Sequence, residues 1–165
     1  MEIINEASEK FKDRQDEICG LLFELLRKID EIEKDVFNKS EELKRKKAEL
    51  GIPKHQVGPG EEELWDEYEE RLGEVVKPAC TEKLIKRRYG GSYGKPSKYD
   101  YLSGDCTATF IMKTAKRAVV RTHFSQGGFQ LHKFVIRDVD GKWLVDEVYY
   151  GFDSDPDKWY ADNIR

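Results

Sequence analysis

The sequence predicts an α+β chain in which N-terminal helices pack on a curved antiparallel sheet. Three observations lead there. Between Asp105 and Tyr150 four runs, Cys106–Lys113, Ala118–Phe124, Gln130–Arg137 and Trp143–Tyr150, are rich in β-branched and aromatic residues, which suit a pleated, half-buried surface. No helical pattern separates them, so they form a meander with one face to be covered. Upstream, Ile18, Leu22, Leu25, Ile29, Ile32 and Val36 recur at spacings of four and three, the stripe of an amphipathic helix.

Taken in order, residues 5–37 predict one long helix, with Phe11 behind it and Leu43 and Leu50 ahead. Unbroken from 5 to 50 it would reach about 69 Å at 1.5 Å per residue. Asn38-Lys39-Ser40-Glu41 offers capping residues and a place to break it. The stripe fits either a core face or a self-association seam, both widened by Leu21 and Leu26. Gly51-Ile52-Pro53 ends the segment, and Gly58-Pro59-Gly60 closes a loop. A second helix runs from Glu61 to about Val76, its first-turn glutamates favoured by the helix dipole. Pro78 suits the first turn of a third, Ala79 to Arg88. Residues 89–97 are a Gly/Pro loop, and Lys98–Leu102 is a short strand. Gln126-Gly127-Gly128-Phe129 and Val139-Asp140-Gly141-Lys142 are hairpin turns, because Gly-Gly and Asp-Gly tolerate positive φ. After Tyr150 comes a turn-rich tail with one helical turn. The organisation is a helical segment, 1–50, joined as one structural unit to an α+β domain, 61–165.

Charged residues make up 38% of the chain, and the net charge of −4 hides a division. Residues 1–76 hold 22 acids and 13 bases, whereas 77–165 hold 11 acids and 16 bases. Acid excess on helices is either a solvated face or a face that meets a basic partner. No long Lys/Arg stripe interleaved with aromatics points to nucleic acid. No run is apolar enough for a membrane span, and the start lacks a basic region followed by an apolar one, so the expected compartment is the cytoplasm. Cys19, Cys80 and Cys106, an odd count without a CxxC pair, read as reduced, buried thiols.

The chain has no P-loop, HExxH, GxSxG or dinucleotide fingerprint. A two-residue Gly127-Gly128 turn would set His123 opposite His132, and two imidazoles beside Asp146 or Glu147 would approach a zinc site. The plainer expectation is a surface histidine pair, with neither metal nor cofactor. Asp146, flanked by apolar neighbours, is the one candidate general base, with Tyr101 or Tyr149 as donors to an oxyanion. A rim aspartate held by hydrogen bonds is the alternative.

Two stretches resemble a known family. Ser92-Tyr93-Gly94-Lys95-Pro96-Ser97-Lys98-Tyr99-Asp100 resembles the "SYGxPxxYD" segment of immunity proteins built on the nuclear-transport-factor-2-like fold. Asp140-Gly141-Lys142-Trp143-Leu144-Val145-Asp146 resembles the "dGkWxId" final hairpin of that fold, and Cys80-Thr81-Glu82-Lys83 is similar to its "cT.K". The match covers Glu61 to Trp159, with Gly94, Pro96, Tyr99, Gly141 and Trp143 as structural positions. The resemblance implies a cystatin-like cone and a non-catalytic immunity protein that neutralises a cognate bacterial toxin domain in a polymorphic toxin system.

Candidate toxin-binding residues are Glu62, Trp65, Asp66, Tyr68, Glu69 and Glu70 on the second helix, and Asp153, Asp155 and Asp157 in the tail. Aromatic anchors with complementary charge are what such an interface needs. The rival expectations are a small isomerase or dehydratase using the cone as a pocket, and a dimerising scaffold worked by the long helix. A homodimer is compatible with each.

Overall fold

The computed structural model describes residues 1–125 and 128–165. Three helices, α1 (Gln15–Glu49), α2 (Glu61–Val76) and α3 (Glu82–Ile85), accompany six strands. The strands are β1 (Glu2–Asn5), β2 (Cys106–Thr114), β3 (Arg117–Phe124), β4 (Leu131–Val139), β5 (Lys142–Phe152) and β6 (Asp155–Asp162). They form one sheet in sequence order. The expected antiparallel sheet is therefore mixed: β1 pairs parallel with β2, and the remaining neighbours are antiparallel.

The four-strand meander is where the residue pattern put it. The two edge strands are additions. Residues 2–5, of which only Asn5 was placed in the expected helix, form β1, and Glu9–Arg14 is a 3₁₀ turn before α1. The tail expected to turn is β6, because Tyr150 pairs with and stacks on Tyr160. The strand expected over Lys98–Leu102 does not form: Asp100–Ser103 wind into a 3₁₀ turn. The third helix is only Glu82–Ile85, capped by Thr81 rather than opened at Pro78.

The expected break at 38–40 does not occur: α1 runs 35 residues unbroken. Its apolar stripe is a core face, with Ile18, Leu22, Leu26, Ile29 and Val36 all buried. Past residue 35 the cover comes from α2 and the loop before it, so the helix continues through its capping residues. Lys39 Nζ reaches Glu67 of α2 at 2.6 Å, and Lys47, itself buried, ties to the Lys54 carbonyl and Glu61. Leu21 and Leu50, assigned to the stripe, face solvent instead.

Register matters more than strand existence. The Gly127-Gly128 turn includes residues outside those described, but its flanks are clear: Thr122 lies opposite His132 and His123 opposite Leu131. The register is one residue away from that expected of a two-residue turn, and one residue moves a side chain to the other face. His132 is fully buried and His123 exposed, so the expected histidine pair, and the zinc site drawn from it, does not assemble. The Asp140-Gly141 turn is as expected: Val139 pairs with Lys142, and both turn residues have positive φ, +53° and +84°, as a type I′ hairpin requires.

Candidate functional site

Three carboxylate groups and one cleft are the places where chemistry concentrates. The first group lies inside. Asp30 and Glu33 sit within the buried stripe of α1, and both are buried. The Gly94 and Lys98 amides each donate to Glu33 at 2.9 Å, the Arg165 guanidinium pairs with it, and the Ser97 hydroxyl donates to Asp30. The Ser92–Asp100 segment is thus strapped to α1 by two acids. Burial pushes the Glu33 carboxyl above its ordinary value, against the pull of the Lys98 amide, Arg165 and the Gly94 amide. Tyr99, also buried, donates to the Ile164 carbonyl. Gly94, Pro96 and Tyr99 lie in this joint.

Asp146 belongs to a second joint. A bulge after Val135 leaves Asp146 without a partner across β4, so the alternation that placed it among core residues fails. Its carboxylate accepts from Arg137 Nε at 2.7 Å, Thr81 Oγ1 at 2.9 Å and Lys83 Nζ at 3.4 Å. Burial opposes ionisation, but Arg137, Thr81 and Lys83 together hold the carboxyl below its ordinary value. This is the rim aspartate held by hydrogen bonds, the alternative expectation for this residue. Of the two tyrosines expected as donors, Tyr101 lies in the core and Tyr149 on the outer face of β5. Thr81, Lys83 and Asp146 clasp α3 to the final hairpin, which carries Gly141 and Trp143.

The third group is on the surface. Leu64, Tyr68, Leu72 and Val76 turn α2 towards the core, and Glu67 and Arg71 pair with Lys39 and Asp35 of α1. What remains outward is Glu62, Glu63, Asp66, Glu69, Glu70 and Glu74, all exposed. None of the six makes an ion pair or side-chain hydrogen bond among the described residues. Beside them Trp65 is 41% exposed and its ring lies 4.5 Å from that of Tyr93. Tyr68, the other aromatic candidate, is in the core with its hydroxyl on the Ser92 carbonyl. Asp153, Asp155 and Asp157 are exposed around the β5–β6 turn, where Asp153 meets His123 at 3.0 Å.

A cleft of about 310 Å³ opens between Pro96, Lys98, Tyr101, Phe124, Phe129, Tyr150, Asp162 and Arg165. Lys98 pairs with Asp162 at 2.9 Å and donates to the Asn163 carbonyl at 2.6 Å. Behind it the Thr122 hydroxyl donates to the Tyr101 hydroxyl (3.3 Å), which meets His132 Nδ1 at 2.8 Å. That network assigns the proton of the neutral imidazole to Nε2, which has no hydrogen-bond partner among the described residues and lies 3.9 Å from Asp162. Burial, then the Lys98 charge, hold the imidazole well below its ordinary pKa. Nothing in the sequence signalled this cleft, because its polar groups come from four distant segments.

Among the described residues no group of three metal-binding side chains gathers, and no helix is long and apolar enough to cross a membrane. The three cysteines are free and buried; burial pushes the thiols of Cys19 and Cys80 up to about 12 and that of Cys106 to about 11. The chain matches no family model, no curated protein and no solved structure.

Proposed function

We propose that this chain is a bacterial immunity protein of the cone-shaped, nuclear-transport-factor-2-like type. It acts in the cytoplasm, without catalysis, by binding a cognate toxin domain. The observation that carries the reading is the outward face of α2: six exposed acids, unpaired among the described residues, beside a half-exposed Trp65. Acids at i, i+3 and i, i+4 repel each other on a helix. A basic partner converts that repulsion into attraction, speeds encounter and fixes register. Trp65, held against Tyr93, is the kind of rigid aromatic that anchors an interface. The resemblance of residues 92–100 and 140–146 to the immunity-protein pattern supplies the partner's class; the charge supplies its sign.

The test first requires that the reading frame immediately upstream encode a protein with a C-terminal toxin domain, and then uses that domain. Calorimetric titration should give a tight complex with the wild type and a complex roughly a hundredfold weaker with E62K/D66K/E69K/E70K. Toxin activity should return in parallel. Undiminished binding by the variant would take the ridge out of the interface. No binding by the wild type would end the reading itself.

A further inference from the structure

Across β3 and β4 the outer face of the sheet carries the charge opposite to α2, with Glu147 of β5 at its border engaged by Lys83. Alternation sends Arg117, Val119, Arg121 and His123 of β3, and Leu131, Lys133, Val135 and Arg137 of β4, to that face. Arg117 stands directly opposite Arg137, and Arg121 opposite Lys133. Like charges facing each other across strands work against the sheet. Arg137 is relieved by Asp146, but Arg117, Arg121 and Lys133 have no carboxylate within salt-bridge distance among the described residues. The lysine is nonetheless held in place: Lys133 Nζ lies 4.4 Å from the Tyr149 ring and 4.5 Å from the Trp159 ring, and Arg121 lies 5.9 Å from Trp159. Burial, then Arg121 and Arg117, lower the Lys133 pKa. Beneath these cations Val119 and Val135 give an apolar floor.

We propose that this face docks the α2 ridge of a second copy of the chain, in a head-to-tail contact. Three features select that occupant. Cations fixed over aromatic rings present ready-made donors for carboxylates. The same cations cap the rings on which nucleic-acid bases would stack. Two sheets meeting face to face about a two-fold axis would press Arg121 and Lys133 against their own copies. The α2 ridge offers acids one helical turn apart, from Glu62 through Asp66 to Glu70 and Glu74. A head-to-tail contact leaves one face of each kind free, so it propagates into chains or rings. The inference goes beyond the toxin reading and does not depend on it.

Sedimentation velocity of the full chain tests it. At about 10 mM ionic strength, where charges act over roughly 30 Å, the average mass should climb with concentration. At about 1 M, where they act over roughly 3 Å, it should fall to the monomer. R121E/K133E and D66K/E70K should each stay monomeric, while an equimolar mixture of the neutral variants R121M/K133M and D66N/E70Q forms a one-to-one dimer and nothing larger, because each of those keeps one working face. On its own R121M/K133M, which keeps the stems packed, should also be monomeric, and melting curves confirm that each variant folds. A wild type that is monomeric at low salt, or assembly that survives either charge reversal, overturns the proposal. So does retention of a labelled single-stranded oligonucleotide by a monomeric wild type that R121E/K133E abolishes; that result assigns the face to nucleic acid. Toxin-domain affinity of R121E/K133E is measured alongside, so failure of this contact and failure of the immunity reading are told apart.

Discussion

Two helices carry acids, and the comparison between them separates architecture from recognition. On α1, Asp30 and Glu33 are buried, and between them they engage the Ser97 hydroxyl, two backbone amides and a guanidinium. On α2, six outward acids engage nothing among the described residues. The chemistry of the side chain is the same in both places. What differs is partner accounting: a buried acid needs its hydrogen bonds to exist at all, whereas an exposed one is free to wait for a partner. The first set holds the molecule together, and the second is available to hold something else.

Removing an inner acid should therefore cost far more than removing an outer one. Glu33→Ala would leave Arg165 and the Gly94 and Lys98 amides facing a void. Breaking a buried, hydrogen-bonded pair from one side costs about 3–5 kcal/mol, a large part of a typical domain's stability. Urea unfolding is the measurement. A loss below about 1 kcal/mol would show that the 92–100 strap is held by something other than Glu33. Because Glu33 is raised, the proton-linked part of its contribution is full below the unfolded carboxyl pKa of about 4.3 and is lost as pH rises through the folded value. Asp146 runs the other way, contributing above about 3.9 and failing as pH falls through its lowered value.

The next effect comes from His132. Its folded pKa lies well below the ordinary one, so below about pH 6.5 the unfolded chain binds a proton that the folded chain refuses. Stability is full above that pH and should decline below it with a limiting slope of about 1.4 kcal/mol per pH unit. His132→Phe should flatten the profile between about pH 6.5 and 5. An unchanged slope in that variant would mean that another group titrates there, and that the Tyr101–His132 network is not closed to protons.

How much of this could be read from residues alone follows from range. The meander was legible because β-branched runs and Asp140-Gly141 are local signals, and α1 because its stripe is periodic. β1 and β6 were not: Glu2–Asn5 has only two apolar residues, and Asp155-Pro156-Asp157 spells a turn. Those strands exist because a neighbour offers an edge. The His123–His132 pairing failed by one residue, since loop length and not strand composition sets register. Asp30 and Glu33 interrupt an apolar stripe, which was a usable sign, but apart from Lys34 beside Asp30 their partners lie more than 60 residues away. The exposed half of the site was visible as charge; the rings that fix Lys133 were not, because Tyr149 and Trp159 meet it only once β4, β5 and β6 are aligned.

The smallest effect is the one that sharpens the comparison most. Asp66 has acids at Glu62 and Glu70, four residues either way, and at Glu63 and Glu69, three residues either way. Each such pair costs about 0.2–0.5 kcal/mol, and an opposite-charge pair returns about as much. Charges this exposed are screened and neighbouring pairs do not add, so Asp66→Lys should raise stability by several tenths of a kcal/mol, seen as a higher urea midpoint with an unchanged slope, while it weakens toxin binding. A variant that gains stability and loses affinity marks a residue kept for a partner at the fold's expense. If Asp66→Lys destabilises the monomer instead, the ridge has contacts inside the chain, and the distinction drawn between α1 and α2 acids collapses.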